Sequence, residues 1–145
     1  MQKDFDKWNN RKKLIHMTAD VIGIHEREVW WVSLGINVGV EIDGKQQTYE
    51  RPVIVLRKFN NQMVWVLPIT SQKKNPPFYE HFIFGDKAYF AALTQLRTIS
   101  TKRFLRKIGM IPKTDFARMQ ERIVVFVLNK KDEDPTSGSS RRPKP

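Results

Sequence analysis

The chain has 145 residues, and 26 Lys and Arg against 15 Asp and Glu leave a formal charge of +11 at pH 7. That length points to one domain around one core, and a 40% apolar, 11% aromatic composition is too rich for a disordered chain. Cysteine is absent, which excludes disulfide frameworks, thiolate zinc sites and cysteine nucleophiles; no apolar window approaches the roughly 18 residues of a membrane span, and MQKDFDKWNNRKK lacks a secretory apolar stretch, so a soluble cytoplasmic protein is expected.

Phe5, Trp8, Lys12 and Ile15 fall on overlapping turns with Asp4 or Asp6 available as a cap, which predicts a short amphipathic helix over 5–17. A connector over 18–24 leads to 28–35, EVWWVSLG, whose β-branched and aromatic density ending at Gly35 predicts a strand. Gly39 and the Asp43-Gly44 pair mark 36–50 as a long loop. Two apolar strands follow at 52–57 and 63–70, joined by FNNQ, whose Asn60-Asn61 pair suits a hairpin turn.

QKKNPP at 72–77 is a loop, and 78–84 is a fourth strand. Gly85-Asp86 then turns the chain into 88–94 and on through 97–100. After a basic turn, a short strand near 107–111 precedes a helix announced by Pro112 and Thr114. Thr114 is the expected N-cap, and Phe116, Met119, Ile123 and Phe126 or Val127 stand at helical spacing. Beyond Asn129 the composition is too charged and too rich in Ser, Gly and Pro to offset ordering entropy. The expected organisation is a helix and connector at 1–24, a folded domain at 25–128 and a disordered basic tail at 129–145. The fold class is mainly β with α (α+β), five or six short strands forming a compact barrel or curled sheet with helices outside.

The charge is uneven: residues 1–28 carry a net +1, 29–100 a net +3 and 101–145 a net +7. Lys102, Arg103, Arg106, Lys107 and Lys113 have no acid between them, a run that would attract a polyanion or form a solvated face. The three histidines, at 16, 25 and 81, are scattered, and no HExxH, GxSxG, P-loop or GxGxxG pattern is present. Arg51 opens one strand and Thr70 closes the next; antiparallel pairing across a short turn would bring them together beside loop 36–50. A guanidinium and a hydroxyl there can hold a phosphodiester. In the alternative, Arg51 pairs with Glu50 or Glu41 and Thr70 merely caps its strand.

WWVSLGINVGVEIDG, ERPVIVLRKFNN, VLPITSQ and LTQLRTIS occur in that order, and over residues 27–128 the chain resembles the PemK/MazF family of toxin endoribonucleases from toxin–antitoxin modules. The resemblance implies a small CcdB/PemK-like antiparallel β-barrel that forms a homodimer, with no cofactor or metal. It implies cleavage of single-stranded RNA to 2′,3′-cyclic phosphate and 5′-hydroxyl ends, and neutralisation by a cognate acidic antitoxin. Carried over by position, Arg51 would stabilise developing charge and Thr70 would fix the phosphate. Glu41 is the first candidate for general base, ahead of His81; Gln95 and Arg97 would support the site or face substrate, and Asn37, Lys73 and Lys74 would bind substrate. The chain departs from the pattern in having Thr94, where some members carry an acid, and in the insertion KQQTYE before Arg51. Two competing readings are a noncatalytic barrel that binds RNA or DNA and a same-fold toxin acting on a protein such as gyrase.

Overall fold

The computed structural model describes residues 2–129; of the expected tail, everything beyond Asn129 lies outside them. The elements run α1 (Phe5–His16), β1 (Glu28–Ser33), β2 (Glu50–Lys58), β3 (Met63–Thr70), β4 (Tyr79–Phe84), β5 (Lys87–Ala92), β6 (Arg97–Ser100), β7 (Phe104–Met110) and α2 (Lys113–Val127). Single 3-10 turns at Leu93–Gln95 and Thr101–Arg103 flank β6. The described strands number seven rather than five or six, because the Leu93–Gln95 turn divides the stretch from Lys87 to Ser100 into β5 and β6.

All pairings among these strands are antiparallel. The path is β4-β5-β3-β2-β1-β7, and β6 joins β3 off this path. One side of β3 holds β2, while the other is shared: Met63 to Val66 pair with β6, and Ile69 and Thr70 pair with β5. The expected α+β antiparallel fold is therefore present, but the sheet curls without closing into a barrel. Side chains occupy the gap between the outer strands: the Phe84 ring of β4 seats on Gly109 of β7.

Two cores explain why the apolar runs are continuous rather than alternating with polar residues. In β2, Ile54 and Leu56 join one core and Val53 and Val55 the other; in β3, Leu67 and Ile69 oppose Val64 and Val66 in the same way. A strand covered on both faces has no solvent side to polarise. The first core is roofed by α2, whose Phe116 and Met119 are buried and whose Ile123 and Phe126 pack against it, while Val127 is exposed. The β-branched run from Ile123 stays helical because this stripe has a core to cover. The expected Thr114 cap is corrected: Pro112 is the N-cap and makes no side-chain capping bond. Proline's φ of −60° aims the chain into the first turn, so the helix begins at Lys113, ahead of the threonine. In α1, Asp4 does cap, accepting from the Lys7 amide at 2.9 Å.

Glu28 is a buried carboxylate at the base of β1. Burial is the largest influence on it and favours the neutral acid, but hydrogen bonds from Lys107, Trp30 and the His25 amide together hold its pKa below the ordinary 4.5. A folded-state pKa lowered below the unfolded one contributes stability that is complete above the unfolded value and lost as pH falls through the folded value. Urea melts are expected to show stability falling once the pH drops below about 4.5, and Glu28→Gln should be less stable at neutral pH with a flatter acid limb.

Candidate active site

The β2–β3 hairpin places Val53 opposite Pro68, and the same register continued carries Arg51 to the side of Thr70. Arg51 is then fixed from two directions. Its Nε donates to the Asp43 carbonyl at 2.5 Å and its Nη1 to the Ile69 carbonyl at 3.3 Å. A guanidinium has five N–H donors, so these bonds orient the fork and, among the described residues, leave the Nη2 group without a hydrogen-bond partner. Partial burial lowers the Arg51 pKa, an effect opposed by Asp43 and Tyr79. The Thr70 hydroxyl is buried and accepts the Gln72 amide at 3.2 Å, which leaves its own proton to donate. Both residues line a cavity of about 460 Å³ in the gap between β7 and the β4–β5 hairpin, together with Lys45, Gln46, Gln72, Lys87 and Arg106.

Of the alternatives open at the sequence level, the carboxylate pairing of Arg51 does not occur. Glu50 lines the same cavity, but its two oxygens accept from Arg106 at 3.1 and 2.8 Å, and that bond is the main cause of its lowered pKa. Thr70 does close the turn into residue 72, a role compatible with a donating hydroxyl.

Glu41, Gln95, Arg97 and Asn37 are not brought to this cavity; they line a second one of about 360 Å³. Gln95 is used as a pin: its Oε1 accepts the Ile42 amide at 3.1 Å and its Nε2 donates to the Val40 carbonyl at 2.9 Å. Asn37 staples the same loop, donating from Nδ2 to the Ile42 carbonyl at 2.7 Å. Glu41 is exposed and accepts the Val38 amide at 3.0 Å. Arg97 has its pKa lowered by burial, with Glu41 opposing the shift. Lys73 is exposed, Lys74 sits over the Tyr79 ring at 5.7 Å, and His81 is exposed beside Phe90; none lines either cavity.

Cavity residues that sequence reasoning did not single out include Lys45, Gln46, Gln72 and Lys87. Lys45 and Gln46 belong to the KQQTYE insertion, whose length was visible but whose direction was not. The basic run also reads differently in three dimensions. Lys102 donates to the His16 carbonyl, Arg103 to the Ser33 carbonyl, Arg106 to Glu50, and Lys107 pairs with Glu28. Their partners come from distant parts of the chain, so a stretch without local acids is largely engaged within the fold. Among the described residues, no group of three or more His, Asp or Glu is placed to hold a metal ion, and no helix is long and apolar enough to cross a membrane.

Residues 25–127 match the family model for the PemK-like, MazF-like toxin of type II toxin–antitoxin systems. The chain belongs to this toxin family. Among solved structures, the fold of this toxin is similar to that of MazF from Deinococcus radiodurans, at 18% identity and a TM-score of 0.61 over 73% of this chain and 96% of that one. It is also similar to the Mycobacterium tuberculosis toxin MazF-mt6, at 16% identity and a TM-score of 0.53 over 73% of this chain and 100% of that one. A mycobacterial endoribonuclease in complex with its cognate antitoxin aligns at 9% identity and a TM-score of 0.58, over 77% of this chain and 100% of that one. No curated protein matches the sequence. In this toxin the α1 helix precedes the segment matched by the family model.

Proposed function

We propose that this toxin is an endoribonuclease that cleaves single-stranded RNA through the cavity shared by Arg51 and Thr70. The observation that carries the reading is the state of Arg51: a half-buried guanidinium aimed by two main-chain carbonyls, with its Nη2 group unbonded among the described residues and a hydroxyl donor across the hairpin. In the reaction, the ribose 2′-hydroxyl loses its proton and attacks the adjacent phosphorus while the bond to the 5′-oxygen breaks. The products are a 2′,3′-cyclic phosphate and a 5′-hydroxyl, the departing oxygen having taken up a proton. Negative charge grows on the nonbridging oxygens in between. Donors already oriented toward that charge cost no reorganisation when it appears.

Arg51 supplies charge and direction, and Thr70 donates to a nonbridging oxygen. Glu41, expected as the base, stands in the other cavity, and Glu50 is committed to Arg106. The Arg51 cavity is thus better equipped to stabilise charge than to accept a proton. Arg97 and the Gln95-pinned loop in the second cavity would hold neighbouring nucleotides. A homodimer acting in the cytoplasm and neutralised by an acidic antitoxin completes the reading. The antitoxin complex of the structurally similar mycobacterial endoribonuclease supports that partner.

The test is incubation of purified protein with mixed-sequence RNA in EDTA, with the termini of the products identified. Cleavage leaving cyclic phosphate ends is expected, and Thr70→Val should reduce kcat by about 10-fold or more while the protein stays folded. Intact RNA under these conditions overturns the reading.

A further inference from the structure

Helix α1 meets the rest of the molecule in a way its composition does not announce. Its buried side chain is Trp8, while Phe5 and Leu14 remain exposed. The indole lies against Gly35, where a Cβ would stand 2.2 Å from the ring, and at 5.2 Å from the Tyr49 ring centroid. Gly35, with φ at +89°, and Tyr49, with φ at +53°, are the two stems of the 36–48 loop, joined by the Gly35 amide donating to the Tyr49 carbonyl at 3.2 Å. The indole therefore closes on the base of the loop, held on another side by the Arg103 guanidinium 5.8 Å from its ring.

The chain entering α1 adds a second attachment. Lys3 Nζ lies 2.9 Å from Asp43 Oδ2 and donates to the Asn37 carbonyl at 2.7 Å. Asp43 Oδ1 accepts the Asn37 amide at 2.6 Å, and the Asp43 carbonyl is the acceptor that fixes Arg51 Nε. Lys3, Asp43 and Arg51 form a continuous line, and the part of it that crosses the loop has its far end outside the segment shared with the toxin family.

We propose that Lys3 and Trp8 are positioning residues: α1 clamps the loop so that the Asp43 carbonyl holds the Arg51 guanidinium toward the Thr70 cavity. This rests on the nuclease reading of that cavity, and it adds to that reading a device built from this chain's own N-terminal helix. Without the clamp, the loop keeps its Gln95 bonds on the opposite side but loses the fixed position of residue 43. Arg51 then samples orientations in which the phosphate is bound and the transition state poorly matched. The expected signature is a fall in kcat with little change in KM.

The experiment uses the full chain with Lys3→Ala, Lys3→Arg, Trp8→Ala and Trp8→Phe, and with Lys12→Ala as a control that removes an equal charge from the exposed face of α1. Three quantities are read: cleavage kinetics in EDTA, hydrogen exchange of the 36–44 amides, and the Nε–H resonance of Arg51 by NMR. Lys3→Ala and Trp8→Ala should each speed loop exchange, move the Arg51 resonance and lower kcat about tenfold with KM held within about twofold. Lys3→Arg and Trp8→Phe should recover most of the loss, and Lys12→Ala should change none of the three. Unchanged loop exchange and an unmoved Arg51 resonance in both alanine variants overturn the proposal, as does an unchanged kcat when the wild type cleaves. If the wild type cleaves no RNA, the nuclease reading fails, and exchange and resonance still decide whether α1 positions Arg51.

Discussion

Arg51→Ala is expected to lower RNA cleavage by about 10²–10³-fold, the usual cost of deleting a preorganised donor to a developing oxyanion. Arg51→Lys should recover only a small part, because an ammonium supplies the charge without the planar fork that spans two carbonyls and still presents Nη2. The loss should fall mainly in kcat. Lys45 and Lys87 also line the cavity, so ground-state phosphate binding is expected to survive removal of one cation. Single-turnover cleavage of a labelled RNA, alongside thermal melts to confirm folding, provides the measurement. Equal rates for wild type and Arg51→Ala would remove Arg51 from the chemistry.

Gly44→Ala should damage both stability and activity. A Cβ at residue 44 would stand 1.7 Å from the Tyr49 carbonyl oxygen and 2.2 Å from its carbon. Those are main-chain atoms, so no rotamer change relieves the clash and the loop must move. The movement would strain the Gly44 amide bond to the Gly35 carbonyl, at 2.7 Å, and the reciprocal bonds between Lys45 and Glu50. It would also displace the neighbouring carbonyl of Asp43 from Arg51. Overpacking of this kind costs about 1–3 kcal/mol, measurable as a lower urea midpoint. Cleavage is expected to drop with it by about tenfold or more, since the clash acts on the acceptor that aims the guanidinium. Gln47→Ala, an exposed change in the same loop, serves as the reference and should leave stability within about 0.5 kcal/mol.

The two variants also mark where sequence reasoning holds. Arg51 and Thr70 could be placed together from the sequence because a hairpin is local: two apolar runs and the Asn60-Asn61 turn settle which strand ends meet. Glu41 is expected at the same site only from its place in the family pattern, and the loop instead carries it into the cavity of Arg97. Of the two roles open to Gln95, supporting or substrate-facing, the structure shows the first, with both ends of its amide spent on the 40–42 backbone. The run from Lys102 to Lys107 looked unpaired because Glu28 and Glu50 lie more than fifty residues away.

What the sequence determined by itself was the family, through four motifs in order, and, through periodicity and the chemistry of one hairpin turn, the order of nearly all the elements and the pairing of Arg51 with Thr70. The tertiary structure alone decided that the sheet curls without closing, that loop 36–48 is pinned by Gln95 on one side and by Lys3 and Trp8 on the other, and that the basic run is engaged by distant carbonyls and acids. Those outcomes depend on which side chains meet after long loops close, and a linear pattern of residue types carries no coordinate for that meeting.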